Sequence, residues 1–388
     1  MSKTILIITN YYPPEIGAAS NRIFHLAEGL KNKGHNITIL TPLPNYPKGE
    51  IFKDYKGEFS RKSVENDIAV NRLWIFASNS KNKFLRLFAM LSYSFSLTWF
   101  FIWNKIPRTV IIQSPPLLVS FTALLFLRFK KRKLILNVSD LWPLAGLKLN
   151  ALKKGIGYSL LEYIERFNYK KASLVLCQSK EIEAHIHSIY QEKDTLLYRN
   201  YPDFEPPKVL ETKKNDSKIK VVYAGLLGVA QGIYKLIQEL NYDAIELHIY
   251  GSGSEKEIVL SHIKNNPNLP IHYHGELDRT RLHKVLLKYD ITIIPLLNRI
   301  YGSVPSKIFE YSRLGLPILY FGGGEGESIV TKNNLGWVAE SGNYNALNDV
   351  IKSIVKEDFS TSIKKEIQKK ALQEFNLESQ INSLEQKL

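Results

Sequence analysis

SVPSKIFEYSRLGLPILYFGGGEGESIV, residues Ser303–Val330, reads as a helix, a strand and the start of a second helix in close succession. Pro305 suits the opening turn of a helix, and Gly315 stops that helix before Pro317. The apolar run PILYF follows as a strand, and Gly322, Gly323 and Gly324 lead into the next helix. Lys307 and Glu310 are one helical turn apart, hence on one face, with Ser306 just ahead of them. A lysine in a first helical turn adds to the anion preference of the free N–H groups there, which suits a diphosphate. A glutamate one turn deeper can accept both hydroxyls of a ribose, each bond contributing roughly 1.5–3 kcal/mol because the acceptor is charged. A solvated Lys–Glu pair has the same spacing, so the segment needs support from the rest of the chain.

Moving outward, short apolar strands alternate with helical stretches almost throughout. TILIITN, NITILT, IAVNRLWIF, TVIIQS, KLILNVS, SLVLCQS and TLLYRN read as strands in the first half. IKVVYAG, IELHIYG, IHYHG, ITIIPL, PILYF and GWVAE do so in the second. NRIFHLAEGLKNKG reads as an amphipathic helix closed by Gly34. This alternation predicts an α/β protein with parallel sheets and helices on both faces. A chain of 388 residues accommodates two such domains. The first is expected over residues 1–200 and the second over 219–370. A proline-rich, charged linker at 201–218 would separate them, and a C-terminal helix over 371–388 would pack back on the body. Two doubly wound, Rossmann-like domains then face a central cleft at the carboxyl ends of their strands.

Two more glycine turns follow strands of the second domain: YAGLLG, with Gly225 and Gly228, and YGSGSEK, with Gly251 and Gly253. Three such turns on one sheet rim point to a phosphorylated ligand. It is not a dinucleotide, since GSGSEK lacks the third glycine of GxGxxG and follows the second strand of its domain. Walker A and DxD patterns are absent too, so diphosphate binding without a metal is expected, and no cofactor. In the first domain NYYPPEIGAASNR links a strand to a helix, and Glu15, Gly17 and Ala18 are expected near the cleft. Asp140 ends the strand in NVSDLWP, where it either caps the next helix or acts on substrate.

The net charge of +15 favours an anionic partner: nucleic acid, membrane surface or phosphorylated substrate. Phe84–Trp103 carries Arg86 as its one charge and is long enough to span a bilayer. A crossing there would divide the strands of one sheet between two sides of the membrane, so burial or in-plane insertion is expected instead. LLVSFTALLFL runs into RFKKRK, with Arg128, Lys130, Lys131, Arg132 and Lys133. Apolar surface beside a basic cluster suits an anionic membrane, each cation contributing about 1 kcal/mol there. The basic residues do not interleave with aromatics as single-stranded nucleic acid requires. The one cysteine, Cys177, lies in an apolar run and excludes an internal disulfide. His185 and His187 would diverge on a helix, so no metal pair is expected. The N-terminus shows too short an apolar run for a signal peptide, which places the expected site of action in the cytoplasm, at the inner face of the membrane.

At YYPPEIGAASNR, TPLPNYPKG, SDLWP, YAGLLGVAQG, YGSGSE and VPSKIFEYSRLGLPIL the chain resembles the bacterial family 4 glycosyltransferases of the GT-B fold. It is most similar to the transferases that add L-fucosamine-type amino sugars in O-antigen and capsule assembly. The resemblance implies that Glu310 binds the donor ribose, Lys307 the diphosphate, and that the loop at Gly17 closes over donor and acceptor. It also implies retention of anomeric configuration and no bound metal. Two positions depart from the family pattern. Gly302 stands where many members carry a second glutamate that contacts the transferred sugar, and Val229 stands where a basic residue commonly meets the phosphates. Arg299 would then share the phosphate charge with Lys307, and backbone N–H groups at Gly302 and Ser303 would meet the sugar.

The expectation is a glycosyltransferase that moves an amino sugar from a UDP-sugar to a polyprenyl-diphosphate-linked saccharide. Lys307 stabilises the departing diphosphate in this reading, and Asp140 orients or deprotonates the acceptor hydroxyl. Two rivals share the architecture: a UDP-amino-sugar epimerase and a catalytically inactive membrane-bound partner protein.

Overall fold

The computed structural model describes residues 2–78, 80, 82–129, 131–209 and 218–388. The side chain of Arg86, the residue Lys130 and linker residues 210–217 lie outside the described residues. The chain divides into two compact units: Met1–Asn200 with Ile300–Ser303 and Leu377–Leu388, and Tyr201–Arg299 with Val304–Asn376.

The first unit holds strands β1 (Thr4–Ile8), β2 (Asn36–Pro42), β3 (Ser60–Glu65), β4 (Ile68–Leu73), β5 (Thr109–Ser114), β6 (Lys133–Val138), β7 (Leu174–Cys177) and β8 (Thr195–Leu197). Their order in the sheet is β3-β4-β2-β1-β5-β6-β7-β8. All pairings are parallel apart from β3 with β4. β3 departs from the expected all-parallel sheet, and no apolar run announces it. Its sequence, SRKSVE, lies on an edge and has no fully buried position, so neither of its faces needs an apolar run. On one face Leu6, Ile8, Leu40, Val110, Ile112 and Leu136 pack against Leu97, Ala123 and Leu124 of helices Lys83–Trp103 and Leu117–Leu127.

The second unit holds β9 (Ile219–Ala224), β10 (Ile245–Tyr250), β11 (Ile271–Gly275), β12 (Ile291–Pro295), β13 (Ile318–Phe321) and β14 (Gly336–Val338). The order is β11-β10-β9-β12-β13-β14, parallel throughout. Alternate residues feed two separate cores: Val221, Tyr223, Leu319 and Phe321 one, and Val222, Ala224, Ile318 and Tyr320 the other. The period of two in the strands is thus expressed as a sheet covered on both faces. Each unit is a doubly wound, Rossmann-like layer structure.

The tail does not form one helix over 371–388. Helix Thr361–Glu374 ends in the second unit, and helix Leu377–Gln386 belongs to the first. Gln380 Oε1 accepts from the Arg199 N–H at 2.6 Å while its Nε2 donates to the Arg199 carbonyl at 2.9 Å. Lys33 pairs with Glu378 at 3.0 Å. Among the described residues, no helix is long and apolar enough to cross a membrane.

Candidate functional site

Lys307 begins the helix Lys307–Arg313, and its side chain runs back under the carboxyl end of β9. Its Nζ lies 4.7 Å over the ring of Tyr223, and a Cβ at Gly225 would overlap that Nζ. Glycine at 225, with φ of +151°, is therefore what lets the ammonium reach the rim of the sheet. Burial pushes the lysine pKa down to about 8, against the opposing pull of Glu310.

Glu310 stands one turn further on. Its Oε1 accepts from Arg279 Nε at 2.9 Å and lies 2.7 Å from His283 Nε2, while Oε2 is outside both contacts. Burial works to raise the carboxyl pKa, but the His283 hydrogen bond and the Arg279 charge hold it below the ordinary range. The site thus presents a fixed carboxylate. Arg279 and His283 had no sequence signal, since a basic helix such as RTRLHK reads as a solvated one until the fold turns it onto Glu310.

A cavity of about 250 Å³ lies on the same rim, lined by Gly225, Leu226, Tyr250, Gly251, Ser252, Glu276, Leu277 and Leu282. Gly225 and Gly251 thus meet at one wall. A Cβ at Gly251 would overlap the Gly225 carbonyl oxygen, and one at Gly253 would overlap Leu227. These turns are glycine because the two loops pack backbone to backbone. Gly228 sits in a tight turn, its carbonyl accepting from Gln231 and Gly232 at 3.0 and 3.1 Å, and the neighbouring Val229 is exposed. The triple glycine is also filled from within: a Cβ at Gly324 would overlap the guanidinium of Arg299. Arg299 is thereby fixed at the start of helix Glu325–Lys332. Ser306 precedes the Lys307 helix, and its carbonyl accepts from Glu310 N at 3.0 Å.

Gly302 and Ser303 fall in the first unit. The Gly302 N–H donates to Glu181 Oε2 at 2.9 Å, and its carbonyl accepts from Ser179 Oγ at 2.7 Å. The Gly302 backbone thus bonds the N-cap and first turn of helix Lys180–Ile189, while the Ser303 N–H donates to the Ile300 carbonyl at 3.1 Å. Ser303 also hydrogen-bonds Asp140.

Asp140 follows β6 and does not cap the next helix, Leu144–Lys148, whose N-cap is Pro143. Burial raises its pKa to about 6, opposed by the Ser303 hydrogen bond and the charge of Arg22. Arg22 is itself buried. Its Nε and Nη2 donate to Asn137 Oδ1 at 3.1 and 2.6 Å, and its guanidinium lies 4.9 Å from the Tyr198 ring centre. One signal existed: Arg22, Leu26 and Leu30 share a helical face, so a cation falls on the buried stripe.

Glu15 proves to be a loop organiser. Its Oε1 accepts from the N–H groups of Asn45 and Tyr46, both at 2.8 Å. A buried carboxylate beside these backbone N–H groups satisfies donors that would otherwise lack partners. Gly17 is the N-cap of helix Ala18–Asn32, and Ala18 opens that helix. His185 and His187 do diverge, toward Glu165 and the Lys193 carbonyl at 3.0 and 3.1 Å.

Helix Lys83–Trp103 has two faces. Tyr93 and Leu97 are fully buried, Tyr93 donating to the carbonyls of Thr9 and Leu40. Phe84, Phe95, Trp99, Ile102 and Trp103 are exposed, Trp103 by 69%. Beside them lies an apolar groove of about 660 Å³ whose walls include Phe59, Trp74, Phe95 and Trp99, with Arg61 and Lys62 at its margin.

Residues 17–195 match the glycosyl transferase 4-like domain, and residues 208–373 match the glycosyl transferases group 1 domain. No curated protein matches the chain. Among solved structures it is similar to sucrose-phosphate synthase from Thermosynechococcus elongatus, with TM-score 0.75, 14% identity, and coverage of 99% of this chain and 98% of that one. Anabaena HepE in complex with UDP-glucose aligns with TM-score 0.66 at 12% identity over 100% of both chains. WaaG, a glycosyltransferase involved in lipopolysaccharide biosynthesis, aligns with TM-score 0.64 at 11% identity over 98% of both. At these identities the structural likeness establishes the two-domain GT-B fold.

Proposed function

The chain belongs to the glycosyltransferases, a 4-like domain being followed by a group 1 domain, and from that premise we propose that it transfers a sugar from a UDP-sugar to a polyprenyl-diphosphate-linked saccharide. The observation that carries the donor assignment is the Lys307 ammonium held at Gly225, on the wall of the cavity. In this reading the nucleoside occupies the cavity between Tyr250 and Leu277. Glu310 Oε2 accepts the ribose hydroxyls, and Lys307 meets the diphosphate and stabilises it as it departs. Arg299 adds charge at the phosphates. HepE, the similar protein solved with UDP-glucose, supports a uridine donor.

Asp140 is proposed to orient or deprotonate the acceptor hydroxyl. A carboxyl with pKa about 6 is ionised at neutral pH yet basic enough to take part in proton transfer. The transferred sugar is proposed to be an amino sugar, moved with retention and without a metal. The exposed aromatic face of helix Lys83–Trp103, next to Arg61 and Lys62, is proposed to rest on an anionic membrane at its inner surface, where a lipid-linked acceptor resides.

The test is mass-spectrometric screening of UDP-sugars with and without a short lipid-diphosphate saccharide. Sugar transfer that requires the acceptor is the expected result. A new UDP-sugar formed without acceptor would identify an epimerase, and the absence of UDP binding by calorimetry would identify an inactive partner protein.

A further inference from the structure

The face of the second sheet at β10 and β11 carries a side-chain cluster that the transfer chemistry does not use. His248 and His272 are register partners on adjacent parallel strands, and their rings stack with centroids 4.7 Å apart. Glu246 precedes His248 on the same face, its Oε1 3.2 Å from His248 Nε2. One donor atom from each of these three residues lies within 4.8 Å of the others. Two ligands about 2.05 Å from a tetrahedral zinc are about 3.3 Å apart, which is the separation Glu246 and His248 already have. His272 is exposed, so its ring can rotate to close the third position.

A fourth residue completes the arrangement. The register of β10 with β11 shifts after Ile249, so that Tyr250 pairs with Gly275 and His274 is the extra residue. The bulge sets His274 Nε2 2.9 Å from His248 Nδ1. A hydrogen bond to the far nitrogen of a ligating imidazole is the usual outer contact that fixes its orientation. His274 stacks in turn on Tyr250 at 4.6 Å, and Tyr250 lines the cavity.

We propose that Glu246, His248 and His272 form a binding site for a zinc-class transition-metal ion that ties the edge strand β11 to β10. Two imidazoles and one carboxylate suit zinc or its first-row neighbours and not magnesium or calcium, which take oxygen ligands. The edge strand has a single partner, and its continuation, Glu276–Leu277, forms part of the cavity wall. Crosslinking it through a metal would hold that wall in place. No motif signals the site because its ligands come from two strands that meet only in the sheet. It departs from the expectation of no metal, but it is separate from the diphosphate contacts. It rests on strand register and stands whether or not the unit binds a nucleotide.

The experiment uses untagged full-length protein stripped with a chelator. Zinc titrated by calorimetry is expected to bind at one ion per chain, and cobalt to give the visible absorption of a tetrahedral complex. Magnesium should produce neither signal. His272→Gln, at an exposed position, and Glu246→Gln, at a half-buried one, should each weaken zinc binding at least tenfold and abolish the zinc-induced rise in melting temperature. His187→Gln, in the other unit, should change nothing. Zinc binding that is equal in wild type, His272→Gln and Glu246→Gln would overturn the proposal, as would a wild-type protein that binds no zinc.

Discussion

The ammonium of Lys307 occupies the space that a side chain at Gly225 would fill. A helix in one part of the second unit and a glycine turn in another are thus mutually required, and the cation is presented at the sheet rim without a carboxylate bonded to it among the described contacts. Gly225→Ala tests that dependence directly. The added methyl must displace Lys307 and adopt a φ of +151°, which disfavours an L residue. UDP affinity is expected to fall about tenfold or more, since one charge-assisted contact is lost, with far-UV circular dichroism unchanged. Unaltered UDP affinity in calorimetry would remove Lys307 from the phosphate site.

The lysine also sets a pH dependence. Its pKa is pushed down to about 8, so the free site loses its charge as pH rises through that value, and a bound diphosphate favours the charged form. Donor affinity should therefore be highest below pH 8 and decline toward pH 9, by up to about tenfold per unit. Lys307→Arg, which remains charged, should flatten this decline. Calorimetry with UDP at pH 7, 8 and 9 distinguishes the two profiles.

Glu310→Ala should weaken UDP binding by roughly 10- to 150-fold, the equivalent of about 1.5–3 kcal/mol for a charged hydrogen bond. His283→Ala should weaken it less, because Arg279 still holds Oε1. Equal UDP affinity in Glu310→Ala and wild type would refute the ribose assignment.

Asp140→Asn should abolish turnover and leave UDP affinity intact. In the wild type kcat/KM should drop about tenfold per unit below pH 6, where the carboxyl protonates. Arg22→Met should shift that inflection upward, because the Arg22 charge lowers the Asp140 pKa. An inflection that does not move would separate the two residues.

Trp99→Ser with Trp103→Ser should reduce co-sedimentation with anionic vesicles at least tenfold at low salt. Both side chains are exposed, so the melting temperature should hold. Retained co-sedimentation would place the membrane contact elsewhere.

Much of the architecture was legible because burial leaves a period in the sequence. The thirteen strands read from apolar runs are those shielded by helices on one or both faces, as at TILIITN and IKVVYAG. β3 was not legible, since SRKSVE has Val64 as its one apolar residue and no position in it is fully buried. The Lys307–Glu310 pair could be read because helical geometry places i and i+3 on one face whatever surrounds them. Its partners could not: Gly225, Arg279 and His283 arrive from other elements.

The sequence by itself determined the alternation of strands and helices, the glycine turns at the strand ends, and which acid and which ammonium share a helix. Those are consequences of local geometry and of hydrophobic period. Tertiary structure alone decided that Glu15 and Gly302 bond neighbouring backbone and side-chain groups, that Asp140 bonds Ser303 instead of capping a helix, and that Glu246, His248 and His272 meet on one face. A polar group's partner is set by distance in space, and distance in space follows from strand order and register, which no local pattern encodes.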